Sequence, residues 1–251
     1  MASNFPERSS TPAAAQGSAA LAGAKAVQSV RVWDLPLRLF HWLLVACLIG
    51  SFVTIKVGGS WTDWHFRFGY TALTLIVFRI LWGFVGPRYA RFSSFIFSPT
   101  AVFAYLRNGA HAPRTLGHSP LGSLSVFALL AAVGVQALAG LFTSDDISSE
   151  GPLARLVSSA AVGRASALHH INELVILGLV GLHIAAIVFY RVVRRQSLVK
   201  PMIVGDKLVA PDAVAGIAAP AADNAAVRLR GLGVLAVAIA VVACIVNWPL
   251  F

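Results

Sequence analysis

The chain has 251 residues, 57% of them hydrophobic and 12% charged, against roughly a quarter charged in an ordinary soluble domain. Such a composition excludes a water-soluble globule, and two cysteines, Cys47 and Cys244, are too few for a disulfide framework. A net charge of +10 would suit nucleic acid if the cations gathered with aromatics on one soluble face, but here they fall between apolar runs, so no nucleic-acid partner is expected.

Residues 1–31 are rich in Ala, Ser, Gly and Pro. They contain no unbroken apolar core of the kind a signal peptide needs, and the expectation is a disordered tail. Apolar runs follow at 35–57, 65–85, 121–143, 168–193 and 231–248, each near the roughly 20 residues that span a bilayer. The fold class expected is therefore an all-α membrane protein. A four-helix transmembrane bundle occupies residues 32–207, a linker with Pro211 and Pro220 occupies 208–228, and a fifth transmembrane helix lies within 229–251.

The cations set an orientation. Arg8, Lys25, Arg31 and Arg38 precede the first run, and Arg88, Arg91, Arg107 and Arg114 lie between the second and third. Arg191, Arg194, Arg195, Lys200, Lys207, Arg228 and Arg230 follow the fourth. The complementary loops hold only Lys56, Arg155 and Arg164, beside Asp63, Asp145, Asp146 and Glu150. The positive-inside rule then places the amino terminus in the cytoplasm and the carboxyl terminus outside.

Histidine carries the functional signal. Of His41, His65, His111, His118, His169, His170 and His183, five fall in or at the ends of the apolar runs, where a polar ring is costly without a partner. His169 and His183 are fourteen residues apart, which returns to within about 40° of one helix face at a separation of about 21 Å. With the expected topology, His41 shares the cytoplasmic half with His183, and His65 shares the outer end with His169. Each couple offers two imidazoles from different helices, the axial set of a haem iron closed to oxygen. A metal-ion transporter is the rival reading, since imidazole also suits zinc, copper and nickel; two separated couples and the near absence of carboxylates within the runs, Glu173 excepted, argue against it. The lack of a Cys-x-x-Cys-His motif excludes c-type attachment, and two cysteines exclude a four-thiolate iron–sulfur cluster.

Around these rings, Gly69, Gly178 and Gly181 offer relief for a flat macrocycle. Arg38 and Arg79 belong on the cytoplasmic side, where a guanidinium is able to pair with a haem propionate. His111 and His118 are expected to be solvated or interfacial. His170 points about 100° away from His169 on an ideal helix and is expected to be the spare.

Several segments resemble the bacterial cytochrome b561 family, which includes the b-type subunits of nickel–iron hydrogenases. VWDLPLRLFHW at 32–42 is similar to that family's first-span signature, and HFRFGY with FRILWGFVGPRYARF to its second. LGHSPLG before the third span and LHHINELVILGLVGLHIAA in the fourth are also similar. The resemblance runs from about Val32 to about Lys207. It implies a four-helix core with two b-type haems, carried onto His41, His65, His169 and His183, and His170 stands where many relatives place Glu. It also implies electron transfer between membrane quinone and a periplasmic cytochrome c or peripheral oxidoreductase. The alternatives are a self-contained superoxide or quinone oxidoreductase and a membrane anchor of a hydrogenase-like complex. The outer loops, acidic on balance, favour a protein partner over an anionic substrate. The fifth span lies outside the resemblance.

Overall fold

The structure is a computed structural model that describes residues 28–108, 116–145, 149–209 and 219–248. Most of the expected tail, most of the linker, His111, Arg114 and Asp146 lie outside the described residues. The chain divides into two units. Met1–Val30 with Leu208–Ala219 form the first; its described strand residues, 28–30 and 208–209, belong to β1 (Gln28–Arg31) and β2 (Asp206–Val209). Arg31–Lys207 with Pro220–Phe251 form the second, which holds every described helix.

In the second unit, α1 covers Leu35–Val57 and begins at Asp34, whose side chain accepts from the Leu37 amide, with a proline in the first turn. That cap satisfies one of the four backbone donors a helix start leaves open. Gly58 and Gly59 have φ of 71° and 59°, the left-handed backbone that glycine adopts without strain, and they turn the chain directly into α2 (Thr62–Val85). After α2 come the short amphipathic α3 (Pro99–Asn108) and α4 (Pro120–Gly140), capped by Ser119. Then follow α5 (Ser159–Val192), capped by Ser158, the short α6 (Val199–Val204) and α7 (Ala225–Asn247), capped by Asn224.

Five of these helices are long and apolar enough to cross a membrane, in agreement with the five runs in the sequence. The fourth differs in extent: α5 has 34 residues and starts nine positions before the apolar run. At 1.5 Å per residue it is about 51 Å long against a hydrocarbon core of about 30 Å, longer than one span needs, and its added first turns include Arg164 and Ser166.

The second span is the axis of the unit. Leu75, Phe78 and Trp82 of α2 join Leu37, Phe40 and Cys47 of α1 and Val227 and Ala238 of α7 in one buried cluster. Ile76 packs with Ala132 and Val133 of α4 and Ile176 of α5 in a second. Val242 of α7 meets Leu73 and Leu141 in a third. Gly231 of α7 lies against Pro36, whose Cγ would be 2.8 Å from a Cβ at that position. The fifth span is thus docked on the four-helix core along its length.

Candidate functional site

The four histidines occupy three helices: His41 on α1, His65 on α2, and His169 and His183 on α5. His65 and His169 face each other, with ring centroids 6.2 Å apart and planes at 81°. The Nδ1–H of His65 donates to the Ser51 carbonyl at 2.9 Å, and that of His169 donates to the Gln136 carbonyl at 3.0 Å. A carbonyl only accepts, so the proton sits on Nδ1 in both rings and the Nε2 lone pair is left for a ligand.

A cavity of about 470 Å³ opens beside this couple, lined by His65, His169, Gly69, Tyr70, Gln136 and Gly140 among others. This is the volume range of a small-molecule site. Gly69 faces open space, with nothing within 4 Å of where a Cβ would stand, whereas a Cβ on Gly140 would lie 3.1 Å from His169 Cε1. Glu173, also on the lining, pairs with Lys56 at 3.0 Å. His170 is exposed, with its ring centroid 6.4 Å from that of His169.

At the other end of the bundle His41 feels the charge of His183 across the gap between α1 and α5. Ser125 Oγ of α4 lies 3.3 Å from His183 Nδ1, and the buried His41 Nδ1 has no hydrogen-bond partner among the described residues. Gly178 and Gly181 on α5 face open space.

The two arginines expected near propionates have other contacts. Arg38 Nη1 donates to the Ile203 carbonyl at 2.6 Å and Nη2 lies 3.6 Å from Asp223, while its buried Nε is unpaired among the described residues. Arg79 is 2% exposed and stands over the rings of Phe92 and Phe95, at 4.7 and 5.9 Å. Its two terminal nitrogens have no hydrogen-bond partner among the described residues.

His118 corrects the expectation of a solvated loop histidine. Its ring sits between Trp33 at 4.7 Å and Phe95 at 4.3 Å, and burial, helped by the nearby Arg79 cation, pushes it down to about 3. The enclosure is built by three distant segments, none of which is visible from the Gly- and Pro-flanked loop itself. Asp34 is its acidic counterpart: burial pushes the carboxyl above the usual range, opposed by the bonds from Leu37 and Trp82.

Sequence reading missed Ser51, Ser125, Gln136, Gly140 and Asn172. Gln136 and Asn172 did leave a signal, as uncharged polar side chains in the middle of apolar runs. Asn172 Nδ2 donates at 2.8 Å both to the Ala132 carbonyl and to Gln136 Oε1, so the two form one brace between α4 and α5.

Facing imidazoles are seen at His65 and His169, and no group of three or more His, Cys, Asp and Glu converges among the described residues. A membrane bundle that offers couples of this kind, without a thioether-forming motif, is the build of an electron-carrying cytochrome of the b type. Residues 32–205 match the family described as prokaryotic cytochrome b561, and the chain belongs to that family. Its members are b-type haem proteins, and this chain is a multi-pass membrane b-type cytochrome of electron transfer.

Three relatives share the description probable Ni/Fe-hydrogenase B-type cytochrome subunit. The protein of Rhizobium leguminosarum bv. viciae is 24% identical, over 74% of this chain and 92% of its own. That of Rhodobacter capsulatus is 24% identical, over 74% and 84%, and that of Azotobacter vinelandii 23%, over 73% and 90%. No solved structure matches the chain.

The residues present fit the cofactor. With metal–imidazole bonds of about 2 Å and ring nitrogens about 1 Å from the centroid, two imidazoles on one metal have centroids about 6 Å apart; His65 and His169 stand at 6.2 Å. Both present an unprotonated Nε2, and Gly69 leaves open the space beside them.

Proposed function

We propose that the chain holds two b-type haems, one between His65 and His169 and one between His41 and His183, and carries electrons across the bacterial inner membrane between the quinone pool and a redox partner on the outer side. The observation that carries this reading is the His65–His169 couple, facing at 6.2 Å with both Nδ1 protons given to helix carbonyls. Haem, when bound, would supply a one-electron iron centre, and His65 with His169 and His41 with His183 would hold it.

The protein's part is to fix the rings and exclude water. Ser51 and Gln136 set the tautomer at one end, Ser125 touches His183 at the other, and Arg38 retains an unpaired Nε for a propionate beside His41. The cation distribution supports a cytoplasmic amino terminus and a periplasmic carboxyl terminus, which makes the His65–His169 end the outer one. The relatives' descriptions as hydrogenase cytochrome subunits support a peripheral oxidoreductase as partner, with this chain as its membrane subunit.

The test is a reduced-minus-oxidised spectrum of the purified protein with haem measured per polypeptide. Two b-type haems, both reducible by a quinol, are expected. A colourless preparation or a single haem overturns the pairing, and haems that no quinol reduces overturn the quinone link.

A further inference from the structure

The two histidine couples differ in what holds the back of each ring. At the outer end both Nδ1–H groups donate to helix carbonyls, at 2.9 and 3.0 Å. At the other end one ring meets a hydroxyl at 3.3 Å, and the other has no partner among the described residues.

The difference has an electronic consequence. A carbonyl that accepts from Nδ1–H pushes density toward Nε2 and makes the ring a more basic ligand. A more basic axial ligand favours ferric over ferrous iron, and outer hydrogen bonding is one of the levers by which a protein sets haem potential. Lys56 and Glu173, a charged pair at that end, stand 3.0 Å apart and offset each other, and Asp145 also lines the cavity.

The Gln136 carbonyl is itself held in place. Asn172, three residues beyond His169 and 8% exposed, ties Gln136 Oε1 and the Ala132 carbonyl to α5, and Gly140 leaves the room in which the His169 ring lies. The brace therefore fixes α4 and α5 in the register that brings Nδ1 to its acceptor.

We propose that the His65–His169 site is the lower-potential of the two, and that Gln136 and Asn172 are positioning residues that keep His169 hydrogen-bonded in that state. Electrons at equilibrium then gather at the His41–His183 end. This rests on the two-haem reading above.

Redox titration of the full-length protein in detergent, followed by haem absorbance, tests it. The wild type should titrate in two components. His65→Ala should keep only the upper one and His41→Ala only the lower, so either variant decides if the other does not assemble. Asn172→Leu should raise the lower component by about 59 mV, a tenfold change in the reduced-to-oxidised ratio for one electron, and leave the upper unmoved. Ser125→Ala, which touches only His183, should move the upper component alone. A single wave in the wild type, or a lower component surviving in His65→Ala, overturns the order of potentials; an unmoved lower component in Asn172→Leu overturns the role of the brace. Protein without two haems would instead sink the reading on which the inference rests.

Discussion

The indole Nε1 of Trp82 donates to Asp34 Oδ1 at 3.1 Å, and the same oxygen accepts from the Leu37 amide at 2.9 Å. One carboxylate thus caps the first span and fastens it to the second, with the Arg79 cation close enough to feel its charge. Asp34→Ala removes the cap, at about 1 kcal/mol, and leaves a buried indole N–H unsatisfied, at about 1–3 kcal/mol. The expected loss is about 2–4 kcal/mol. Asp34→Asn keeps an acceptor oxygen and should lose less. Thermal unfolding of the two variants beside Trp82→Phe, as a double-mutant cycle, checks this; additive losses would show that the bond carries no coupling.

The spans were legible because lipid leaves a chain little choice: only a helix satisfies its own backbone there. Their ends were less so. Hydropathy registers apolar composition, and α5 includes Arg164 and Ser166, which precede the apolar run. The facing of His65 and His169 was legible because a polar ring in an apolar run is conspicuous and the expected topology puts these two at the same end of their helices. The Gln136–Asn172 brace and the aromatic enclosure of His118 depend on which faces of separate helices and loops meet, which no local pattern encodes.

His118 gives the protein a sensitivity to acid. Its folded value of about 3 lies below the ordinary 6.5, so the unfolded chain binds a proton that the folded one refuses. The cost is absent above about pH 6.5 and grows as pH falls toward 3, reaching about 2 kcal/mol at pH 5 by linkage. His118→Phe keeps an aromatic ring between Trp33 and Phe95 and removes the titration. Comparing melting at pH 7 and pH 5 should show a smaller acid shift in the variant than in the wild type; equal shifts would place the sensitivity elsewhere.

Asp223 joins the start of the fifth span to the start of the first. Its carboxylate, 6% exposed, lies 2.8 Å from Arg31, 3.6 Å from Arg38 and 3.4 Å from Arg228, and it accepts from the Leu35 amide at 3.1 Å. Asp223→Ala removes the anion from Arg38 and Arg228, while Arg31 keeps Asp206 at 2.6 Å, and with two of these cations partly exposed about 1–2 kcal/mol is the expected loss. Haem content should be retained, because α7 carries none of the four histidines. Thermal unfolding of the variant beside the wild type checks the loss, and unchanged melting would deny the carboxylate this role.

Gly140 tests the seat of His169 without touching a histidine. A Cβ there would stand 3.1 Å from His169 Cε1 and 3.4 Å from Nδ1, so alanine forces a small shift and valine, branched at that atom, a larger one. Displacing the ring turns Nε2 away from the axis shared with His65 and strains the bond to Gln136. The neighbouring helix positions Ala139 and Leu141 are already buried, which leaves the backbone of α4 little room to retreat. On the proposed two-haem reading, Gly140→Val should lower haem content from two per polypeptide toward one, while Gly140→Ala keeps both and shifts only the spectrum of the His65–His169 site. The His41–His183 couple, at the opposite end of α5, should be unaffected, so the residual absorbance of Gly140→Val should coincide with that of His65→Ala. Two full haems in Gly140→Val, with an unshifted spectrum, would mean that the His169 ring is free to move aside and that its position is set by other contacts.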